Sequence, residues 1–290
     1  MKLGAVIITM GNRPDELRAL LDSVAGQDGD RIEVVVVGNG APVPDVPPGV
    51  RTVELPENLG IPGGRNVGIE AFGPSGADVD ALLFLDDDGH LPRTDTAELC
   101  RQAFEADPKL GIITFRIADP DTGVTQRRHV PRLRASDPMR SSRVTTFLGG
   151  ANAVRSQVIA EAGPLPGEFF YAHEETDLAW RALDAGWMID YRADMVLNHP
   201  TTAPSRHAVY HRMVARNRVW LARRNLPAPL VPLYVGVWLL LTLVRRPSLP
   251  ALKAWFGGFR EGWTTPCGPR RPMRWRTVWR LTRLGRPPVI

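Results

Sequence analysis

Three consecutive aspartates, Asp86, Asp87 and Asp88, follow the apolar segment 81–85. Adjacent carboxylates repel one another unless a cation lies close by. Divalent cations such as Mg2+ and Mn2+ take carboxylate and phosphate oxygens as ligands, so the triplet predicts a metal ion held together with phosphate. The alternative is a strand that ends in a solvated acidic turn, and the triplet alone does not separate the two.

Two other segments carry chemistry. Residues 58–68, NLGIPGGRNVG, combine a glycine-rich stretch with the guanidinium of Arg65 and a helix start whose amides can face an anion. Residues 173–181, HEETDLAWR, place Glu174 and Glu175 at the start of a predicted helix. Taken singly, the first segment is also typical of an ordinary turn, and the second of carboxylates that interact with a helix dipole.

The elements that position these residues alternate between strand and helix. Short β-branched and apolar runs predict strands at 5–9, 33–37, 50–55, 81–85 and 111–117, and helical spacing predicts helices at 15–24, 64–72, 94–106 and 175–185. This order predicts a mostly parallel sheet with helices on both faces and a ligand crevice at the carboxyl ends of the strands. The aspartate triplet falls at such an end. A basic, turn-rich loop is expected at 120–143, and a second, mixed part begins at 147–154.

Composition limits the class of protein. With 290 residues, of which 43% are hydrophobic and 23% charged, the chain is expected to form one large or two smaller globular units. Cys100 and Cys267 lie far apart without metal-ligand spacing, which excludes a disulfide scaffold and a zinc finger and indicates a reducing compartment. The first apolar run is too short for a signal peptide, so a cytoplasmic start is expected.

Charge is distributed unevenly along the chain. Residues 1–205 hold 19 basic and 30 acidic residues, a net charge of −11, whereas 206–290 hold 17 basic residues and the single acid Glu261, a net charge of +16. The second part also has six of the eight tryptophans and the apolar run 230–244. That run is shorter than the roughly 20 residues of a membrane span.

A helical, membrane-associated extension is therefore predicted at 206–290, inserted monotopically or as a re-entrant segment because Pro232 and Gly236 interrupt the run. The residues expected at the lipid interface are Trp255, Trp263, Trp275, Trp279, Arg245, Arg246, Arg270, Arg271, Arg274, Arg276, Arg280 and Arg283. The alternative is that 230–244 forms a core or oligomer helix and that the arginines are solvated. Nucleic-acid binding is not expected, since an apolar run beside tryptophans suits lipid better.

In this order, four segments resemble the family 2 glycosyltransferases of bacteria, which have the GT-A fold. They are 6–14 (VIITMGNRP), 57–69 (ENLGIPGGRNVGI), 84–91 (FLDDDGHL) and 169–187 (FFYAHEETDLAWRALDAGW). The likeness extends over about 3–224, where ARRNLP at 222–227 is similar to the closing helix of such enzymes. It implies transfer of a hexosyl or deoxyhexosyl group from a nucleotide-diphosphate sugar to a hydroxyl, with inversion at the anomeric carbon.

The resemblance also implies residue roles. Glu175 is the expected general base, with Glu174 as its rival, because this pair stands where the family usually has glutamate followed by aspartate. Asp88 is the expected ligand of Mg2+ or Mn2+, together with His199. The residues expected along the donor are Thr9, Asn39, Asn58, Arg65, Asn66, Asp86 and Asp87. Asn39 stands where the family commonly has an aspartate, which leaves the nucleotide base open. His90 and His173 are expected to be structural or on the acceptor side.

The expected organisation is a catalytic GT-A domain at 1–205, with a donor half at about 1–118 and an acceptor half at 119–205, followed by the extension. The expected acceptor is a lipid-linked or cell-envelope glycan at the cytoplasmic face of the membrane. Two alternatives remain: a non-catalytic, membrane-bound protein that binds nucleotide sugars, and a sugar nucleotidyltransferase. The latter usually has a glycine-rich, lysine-containing segment near the first strand, where this chain has GNRP at 11–14.

Overall fold

The computed structural model describes residues 1–133, 137–200, 208–245 and 247–290. Within them, the strands are β1 (Leu3–Thr9), β2 (Glu33–Asn39), β3 (Arg51–Leu55), β4 (Ala81–Asp86), β5 (Leu110–Ala118), β6 (Ser142–Arg143), β7 (Ala151–Arg155) and β8 (Met188–Asn198). The helices are α1 (Pro14–Ala25), α2 (Gly60–Glu70), α3 (Thr96–Ala106), α4 (Ser156–Ala162), α5 (Glu174–Ala185), α6 (Ala208–Asn225), α7 (Leu230–Arg245), α8 (Leu249–Thr264) and α9 (Trp275–Arg283). Every strand and helix predicted for the first 185 residues is confirmed, with boundaries shifted by a few residues.

In the described residues the strands form one sheet in the order β3-β2-β1-β4-β7-β5-β8-β6. Strands β1 to β4 are mutually parallel, β7 runs antiparallel between β4 and β5, and β5 and β8 are again parallel. The sheet is therefore mostly parallel, as predicted. Because β1, β2 and β4 point the same way, their last residues, Thr9, Asn39 and Asp86, meet at one edge.

Both faces of the sheet are covered. Successive side chains of β1 point to opposite faces, so Ala5 and Ile7 belong to one buried core and Val6 to the other. The first core packs under α1 and α3, for example through Leu20 and Phe104. The second lies beneath α2, α4, α5 and helices of the C-terminal part. This three-layer arrangement explains why strands buried on both sides read as nearly continuous apolar runs.

Strand β8 was absent from the sequence prediction, as were β6, β7 and α4. Its side chains alternate between buried and more exposed positions from Ile189 to Asp194, which is the period of a half-exposed strand. Because the charged residues Asp190, Arg192 and Asp194 interrupt the apolar ones, the segment has no continuous apolar run that would predict a strand. In the segment predicted as a loop, 120–143, the described residues contain only a short 3-10 turn and β6, while residues 134–136 lie outside the described ranges.

The C-terminal helices pack against the preceding part of the chain. Trp220, Tyr234 and Leu281 lie in the same buried core as Leu178 of α5 and Tyr191 of β8. The predicted domain boundary at residue 205 falls within 201–207, outside the described residues. None of the helices in the described ranges has both the length and the apolar content needed to cross a membrane.

Part of the predicted lipid interface is wrong. Trp255 is only 5% exposed and stacks on Phe259 with ring centroids 5.2 Å apart, because α8 turns this side toward α6. Among the predicted headgroup ligands, Arg270, Arg274 and Arg280 donate hydrogen bonds to backbone carbonyls within the chain. Arg246 lies outside the described residues. The remaining predicted tryptophans, Trp263, Trp275 and Trp279, are exposed by 43, 51 and 63%.

A buried ionic cluster attaches α5 to the end of α6. The carboxylate of Asp177 is fully buried and accepts hydrogen bonds from Arg181 at 2.8 Å, Arg224 at 3.0 Å and Asn225 at 2.6 Å. The Arg224 guanidinium also donates to the carbonyl of Cys267, beyond α8. One carboxylate therefore connects α5, α6 and the segment that precedes α9.

Replacement of Asp177 by alanine is expected to lower the free energy of unfolding by about 3–5 kcal/mol, because it leaves buried guanidinium groups without their counter-charge. Denaturant unfolding, followed by circular dichroism, measures this loss. Asp45→Asn, at an exposed aspartate, is the matched control and should change the unfolding midpoint little. A variant of Asp177 as stable as the control would contradict the assigned role.

Candidate active site

A cleft of about 510 Å3 opens at the edge where β1, β2 and β4 end, which confirms the predicted position of the crevice. Its wall includes seven of the eleven predicted site residues: Thr9, Asn39, Asn58, Asp86, Asp87, Asp88 and His199. It also includes residues that sequence reasoning did not select: Ile8, Met10, Asn12, Arg13, Gly60, Ile61, Phe170 and Tyr171. The cleft is thus lined by carboxylates, amides and one guanidinium.

Asp88 has two cationic neighbours. Nε2 of His199 lies 3.0 Å from its Oδ1, and Nη1 of Arg13 donates to its Oδ2. Burial acts to raise the pKa of Asp88, but the hydrogen bond and charge of His199, together with Arg13, outweigh burial and lower it. The same hydrogen bond raises the pKa of His199. Asp88 is therefore a carboxylate that stays ionised in the wall of the cleft.

Asp87 behaves in the opposite way. Burial raises its pKa, and the neighbouring Asp88 charge adds to the rise, although the hydroxyl of Thr9 donates to its Oδ2 at 2.7 Å and acts to lower it. Thr9 Oγ1 also accepts from the amide of Gly11 at 3.1 Å. The end of β1 and the triplet after β4 are thereby joined by a side-chain contact across the floor of the cleft.

Arg65 connects the triplet with the glutamate pair. Its side chain is 3% exposed, with Nη2 3.3 Å from Oδ1 of Asp86 and Nη1 3.9 Å from Oε1 of Glu175. The guanidinium also lies over the ring of Phe84, 5.8 Å from its centroid. Arg65 is absent from the residues that line the cleft and holds two carboxylates together from beneath it.

The glutamate pair is electrostatically unequal. Glu174 is 1% exposed, and its Oε2 has no hydrogen-bond partner among the described residues. Burial, with repulsion from Glu175, raises the pKa of Glu174 well above its usual value. Burial also raises the pKa of Glu175, while the charge of Arg65 acts to lower it. Burial therefore raises the pKa of Glu174 more strongly, while Glu175 lies beside the cation that opposes the rise.

Gly149 and Gly150 have no side chains, and this leaves room for the carboxylates of Glu175 and Asp86. A Cβ atom at Gly149 would lie 2.2 Å from Oε1 of Glu175, and one at Gly150 would lie 1.8 Å from Cγ of Asp86. Both distances are far below contact, so neither position tolerates a side chain while the carboxylates keep their places. The sequence analysis assigned no role to this pair. The signal was a Gly-Gly dipeptide directly before a buried strand.

The predicted amide residues separate into two groups. The amide group of Asn39 lies in the cleft wall, but it donates to the carbonyl of Gly60 at 3.0 Å and accepts from the amide of Leu59 at 2.9 Å. Asn58 also lines the cleft, and its Oδ1 accepts from Gly60 at 2.8 Å. Asn66 does not lie in the cleft: its side chain exchanges two hydrogen bonds with the backbone of Leu165, at 2.8 and 3.0 Å.

The start of α5 is held in an unusual backbone conformation. Phe170, Ala172 and His173 have φ values of 62, 70 and 73°, which non-glycine residues rarely adopt. Asn217 of α6 is fully buried, and its amide nitrogen lies 2.9 and 2.7 Å from the carbonyl oxygens of Phe169 and Tyr171. Helix α6 thus stabilises a strained turn directly before the glutamate pair, as is common at functional sites.

Gly60 connects this turn with the donor side of the cleft. Its φ is +73°, and a Cβ there would lie 2.3 Å from the carbonyl oxygen of Phe170. The same oxygen accepts a hydrogen bond from the amide of Ile61 at 2.8 Å. The conformation that glycine allows therefore brings α2 and the segment before α5 into direct contact.

His90 pairs through its backbone with Asn198 and does not line the cleft.

The side chains of Asp88 and His199 together fit a site for a cation. A carboxylate oxygen and an imidazole nitrogen face each other there, and both groups are ligand types for divalent cations. Within the described parts of the chain, no three His, Cys, Asp or Glu side chains come together to hold a metal ion. A cation at this position therefore needs further oxygen ligands from a bound anion and from water, as Mg2+ usually does beside phosphates.

Two solved structures of similar fold contain a bound nucleotide sugar. Staphylococcus aureus TarS 1–349 in complex with UDP-GlcNAc matches with a TM-score of 0.62 and 15% identity over 90% of this chain and 80% of that one. The mannosyltransferase PcManGT from Pyrobaculum calidifontis, in complex with GDP-Man and Mn2+, matches with a TM-score of 0.56 and 17% identity over 98% and 84%. The chain spans 65% of another TarS 1–349 structure and 40% of a further TarS structure. At these identities, the likeness shows the GT-A fold.

A search of curated proteins finds no significant sequence match. The sequence profile described as glycosyl transferase family 2, in contrast, matches residues 5–162, more than half of the chain. That range contains the cleft residues at the ends of β1, β2 and β4, together with Arg65 and the two glycines. The chain therefore belongs to glycosyl transferase family 2, a family of glycosyltransferase enzymes.

Proposed function

We propose that the protein transfers a hexosyl or deoxyhexosyl group from a nucleotide-diphosphate sugar to an acceptor hydroxyl, with inversion at the anomeric carbon. One observation carries the proposal. The buried guanidinium of Arg65 links the carboxylate of Glu175 to that of Asp86, at the end of β4. Family membership supplies the reaction class, and the geometry supplies one group for each half of the reaction.

In the proposed step, Glu175 accepts the proton of the acceptor hydroxyl while the oxygen of that hydroxyl forms a bond to the anomeric carbon. The bond from this carbon to the diphosphate oxygen breaks, and the diphosphate leaves with the electron pair. A single displacement of this kind inverts the anomeric configuration and needs no covalent enzyme intermediate. Glu174 stays protonated and orients Glu175 through a hydrogen bond.

The donor is expected to lie along the cleft wall between Thr9 and Asp88. Support comes from the nucleotide sugars bound to fold relatives, UDP-GlcNAc in TarS and GDP-Man in PcManGT. Asn39 and Asn58 would contact the donor through the backbone that they order rather than through a free amide. Arg13, which the sequence analysis did not select, provides the guanidinium closest to Asp88 and is expected to contact the diphosphate.

The expected cofactor is Mg2+ or Mn2+, held by Asp88 and His199 with oxygens of the donor. Mn2+ is present in the PcManGT complex. When bound, a divalent cation neutralises charge on the departing diphosphate. Arg13 supplies part of this compensation from the protein, because its guanidinium already contacts the Asp88 carboxylate.

The C-terminal helices are proposed to dock the protein on the cytoplasmic face of a membrane, as a peripheral or monotopic protein, with a lipid-linked or cell-envelope glycan as acceptor. Exposed apolar side chains support this: Leu233, Leu240, Leu243 and Val244 on α7, Leu249, Phe256 and Trp263 on α8, and Trp275 and Trp279 on α9. Arg276 and Arg283 lie beside them on α9 and suit anionic headgroups.

A non-catalytic protein that binds nucleotide sugars is the second candidate, favoured only by the many cleft contacts that order backbone. The strained turn before the glutamates and the raised pKa of Glu175 argue for catalysis instead. A screen of nucleotide sugars for metal-dependent donor hydrolysis separates the two candidates. Hydrolysis of one donor above the rate of an Asp88→Ala control identifies an enzyme and its donor together.

Glu175→Gln is expected to reduce transfer at least about 100-fold while donor binding persists, because glutamine keeps the size of the side chain and removes its basicity. In the wild type, activity should fall as the pH decreases through the pKa of Glu175, and because burial raises that pKa the fall begins above the range of an ordinary glutamate. Initial rates against pH measure both effects, with Glu16→Gln, an exposed glutamate, as control. Wild-type transfer by Glu175→Gln would reject the assignment.

Asp88→Ala is expected to abolish transfer and to weaken donor binding in the presence of Mg2+ or Mn2+. The alanine removes one ligand of the cation and leaves Arg13 only the more distant carboxylate of Asp87, 3.7 Å away. Calorimetric titration of the identified donor, with and without chelator, measures the loss, and Asp45→Asn serves as the control. Full activity of the wild type in excess chelator would contradict a metal requirement.

Vesicle flotation tests membrane docking. The full chain should float with vesicles that contain phosphatidylglycerol, and the double replacement Trp275→Glu with Trp279→Glu should leave most of the protein at the bottom of the gradient, since both exposed indoles lie one turn apart on α9. Val124→Glu, at an exposed valine outside the C-terminal part, is the matched control. Wild-type protein that stays at the bottom would show that these helices do not bind lipid.

A further inference from the structure

A small pocket lies beside the catalytic helix, away from the donor cleft. It has a volume of about 50 Å3 and is bounded by α5, α6, α7 and the segment after α9. Thr176 and His173 line it, and they flank the glutamate pair in sequence. Because an α-helix rises 1.5 Å per residue, the pocket lies within about one turn of Glu175 along α5.

Two arginines face this pocket without a counter-charge. Arg218 hydrogen-bonds with Tyr234, and its guanidinium lies 3.3 Å from the centroid of the Trp238 ring. Arg286 also lines the pocket. Both side chains are partly buried, and burial lowers the pKa of each. Among the described residues, neither forms an ion pair with a carboxylate, although most other arginines near the core do so or donate to carbonyls.

Other neighbours add to the excess of positive potential. Arg245 interacts unfavourably with Arg218, and both Arg218 and Arg286 lower the pKa of His173, after burial as the main cause. Unpaired cations in a partly desolvated site are costly, and like charges brought together repel each other. The arrangement therefore lacks an anion.

Two polar groups at the pocket have no partner. Nε2 of His173 and Nε1 of Trp238 are buried, and neither has a hydrogen-bond partner among the described residues. An indole nitrogen is a donor only, and a neutral imidazole can donate through Nε2. Buried donors are nearly always satisfied in folded proteins. An anion with several oxygens would satisfy both donors and the two guanidinium groups at once.

We infer that this pocket binds a phosphoryl group, through Arg218 and Arg286 with His173 and Trp238 as further donors. Its volume is a few times the roughly 10–15 Å3 that one water molecule needs, which suits a group with four oxygens and excludes a sugar ring. Arginine presents a planar donor pair that matches phosphate oxygens.

The pocket also indicates where such a group would come from. Trp238 belongs to α7, whose exposed residues Leu233, Leu240 and Val244 recur at helical spacing beside the pocket face of the same helix. If the phosphate belongs to a lipid, the hydrocarbon chain of that lipid would lie along the exposed apolar side of α7. Assignment of the group to the acceptor rests on the proposed function, whereas the phosphoryl site itself does not.

Thermal unfolding with inorganic phosphate, at constant ionic strength, tests the site. The wild type should gain Tm saturably with phosphate, since a ligand that binds only the folded state stabilises it. Arg218→Gln and Arg286→Gln should each weaken the apparent affinity about tenfold or more. Arg260→Gln, an exposed arginine of α8, should respond as the wild type does. Without phosphate, Arg286→Gln should not lose Tm, because it removes a charge that no carboxylate among the described residues compensates.

The proposed site would be contradicted if phosphate did not raise the Tm of the wild type saturably. It would also be contradicted if phosphate raised the Tm of both pocket variants as much as that of the wild type. To identify the source, phosphatidylcholine vesicles with and without an isoprenoid monophosphate are compared by flotation. If the wild type and Arg260→Gln float with the vesicles that contain the monophosphate, and the pocket variants do not, the bound group is a lipid phosphate. If only inorganic phosphate gives a response, the bound group is a soluble phosphate. Phosphate binding is measured without glycosyl transfer, so a failed transfer assay would reject the proposed function and leave this site standing.

Discussion

The buried guanidinium of Arg65 is the interaction on which the site depends. A charge with 3% exposure is tolerated only when counter-charges lie close to it, and Asp86 at the end of β4 and Glu175 at the start of α5 provide them. These two carboxylates belong to parts of the chain almost ninety residues apart. Gly149 and Gly150 leave room for both. The position of Glu175 relative to the aspartate triplet is thus set by the guanidinium of Arg65.

Helix α5 needs support from its other side, and the C-terminal part provides it. Asn217 binds the carbonyls of the strained turn that precedes Glu174, while Arg224 and Asn225 bind Asp177 one turn further along. The basic C-terminal part therefore has inner arginines that stabilise α5 and outer ones that face solvent. Counting charges along the sequence does not separate these two groups, because both contribute equally to the net charge.

Neighbouring carboxylates in the site differ because their surroundings differ. The cationic groups His199 and Arg13 lower the pKa of Asp88 despite its burial, whereas burial dominates at Asp87 and raises its pKa. The same contrast separates Glu174, deeply buried with an unpaired oxygen, from Glu175 beside Arg65. Side chains of one chemical type thereby differ in acidity within a single site, because each has a different balance of burial and neighbouring positive charge.

By itself, the sequence determined the order of strands and helices in the first 118 residues, the parallel part of the sheet there and the edge where the site lies. It did so because buried parallel strands read as apolar runs and because ligand sites lie where such strands end. Strand β8, with its alternating charges, escaped this rule. Only the tertiary structure decided that Arg65 lies beneath the cleft, that Asn66 lies outside it and that Gly149, Gly150, Arg13 and Asn217 shape it. Each of these roles depends on contacts between distant segments, and local spacing carries no information about which distant side chain will lie within hydrogen-bond distance.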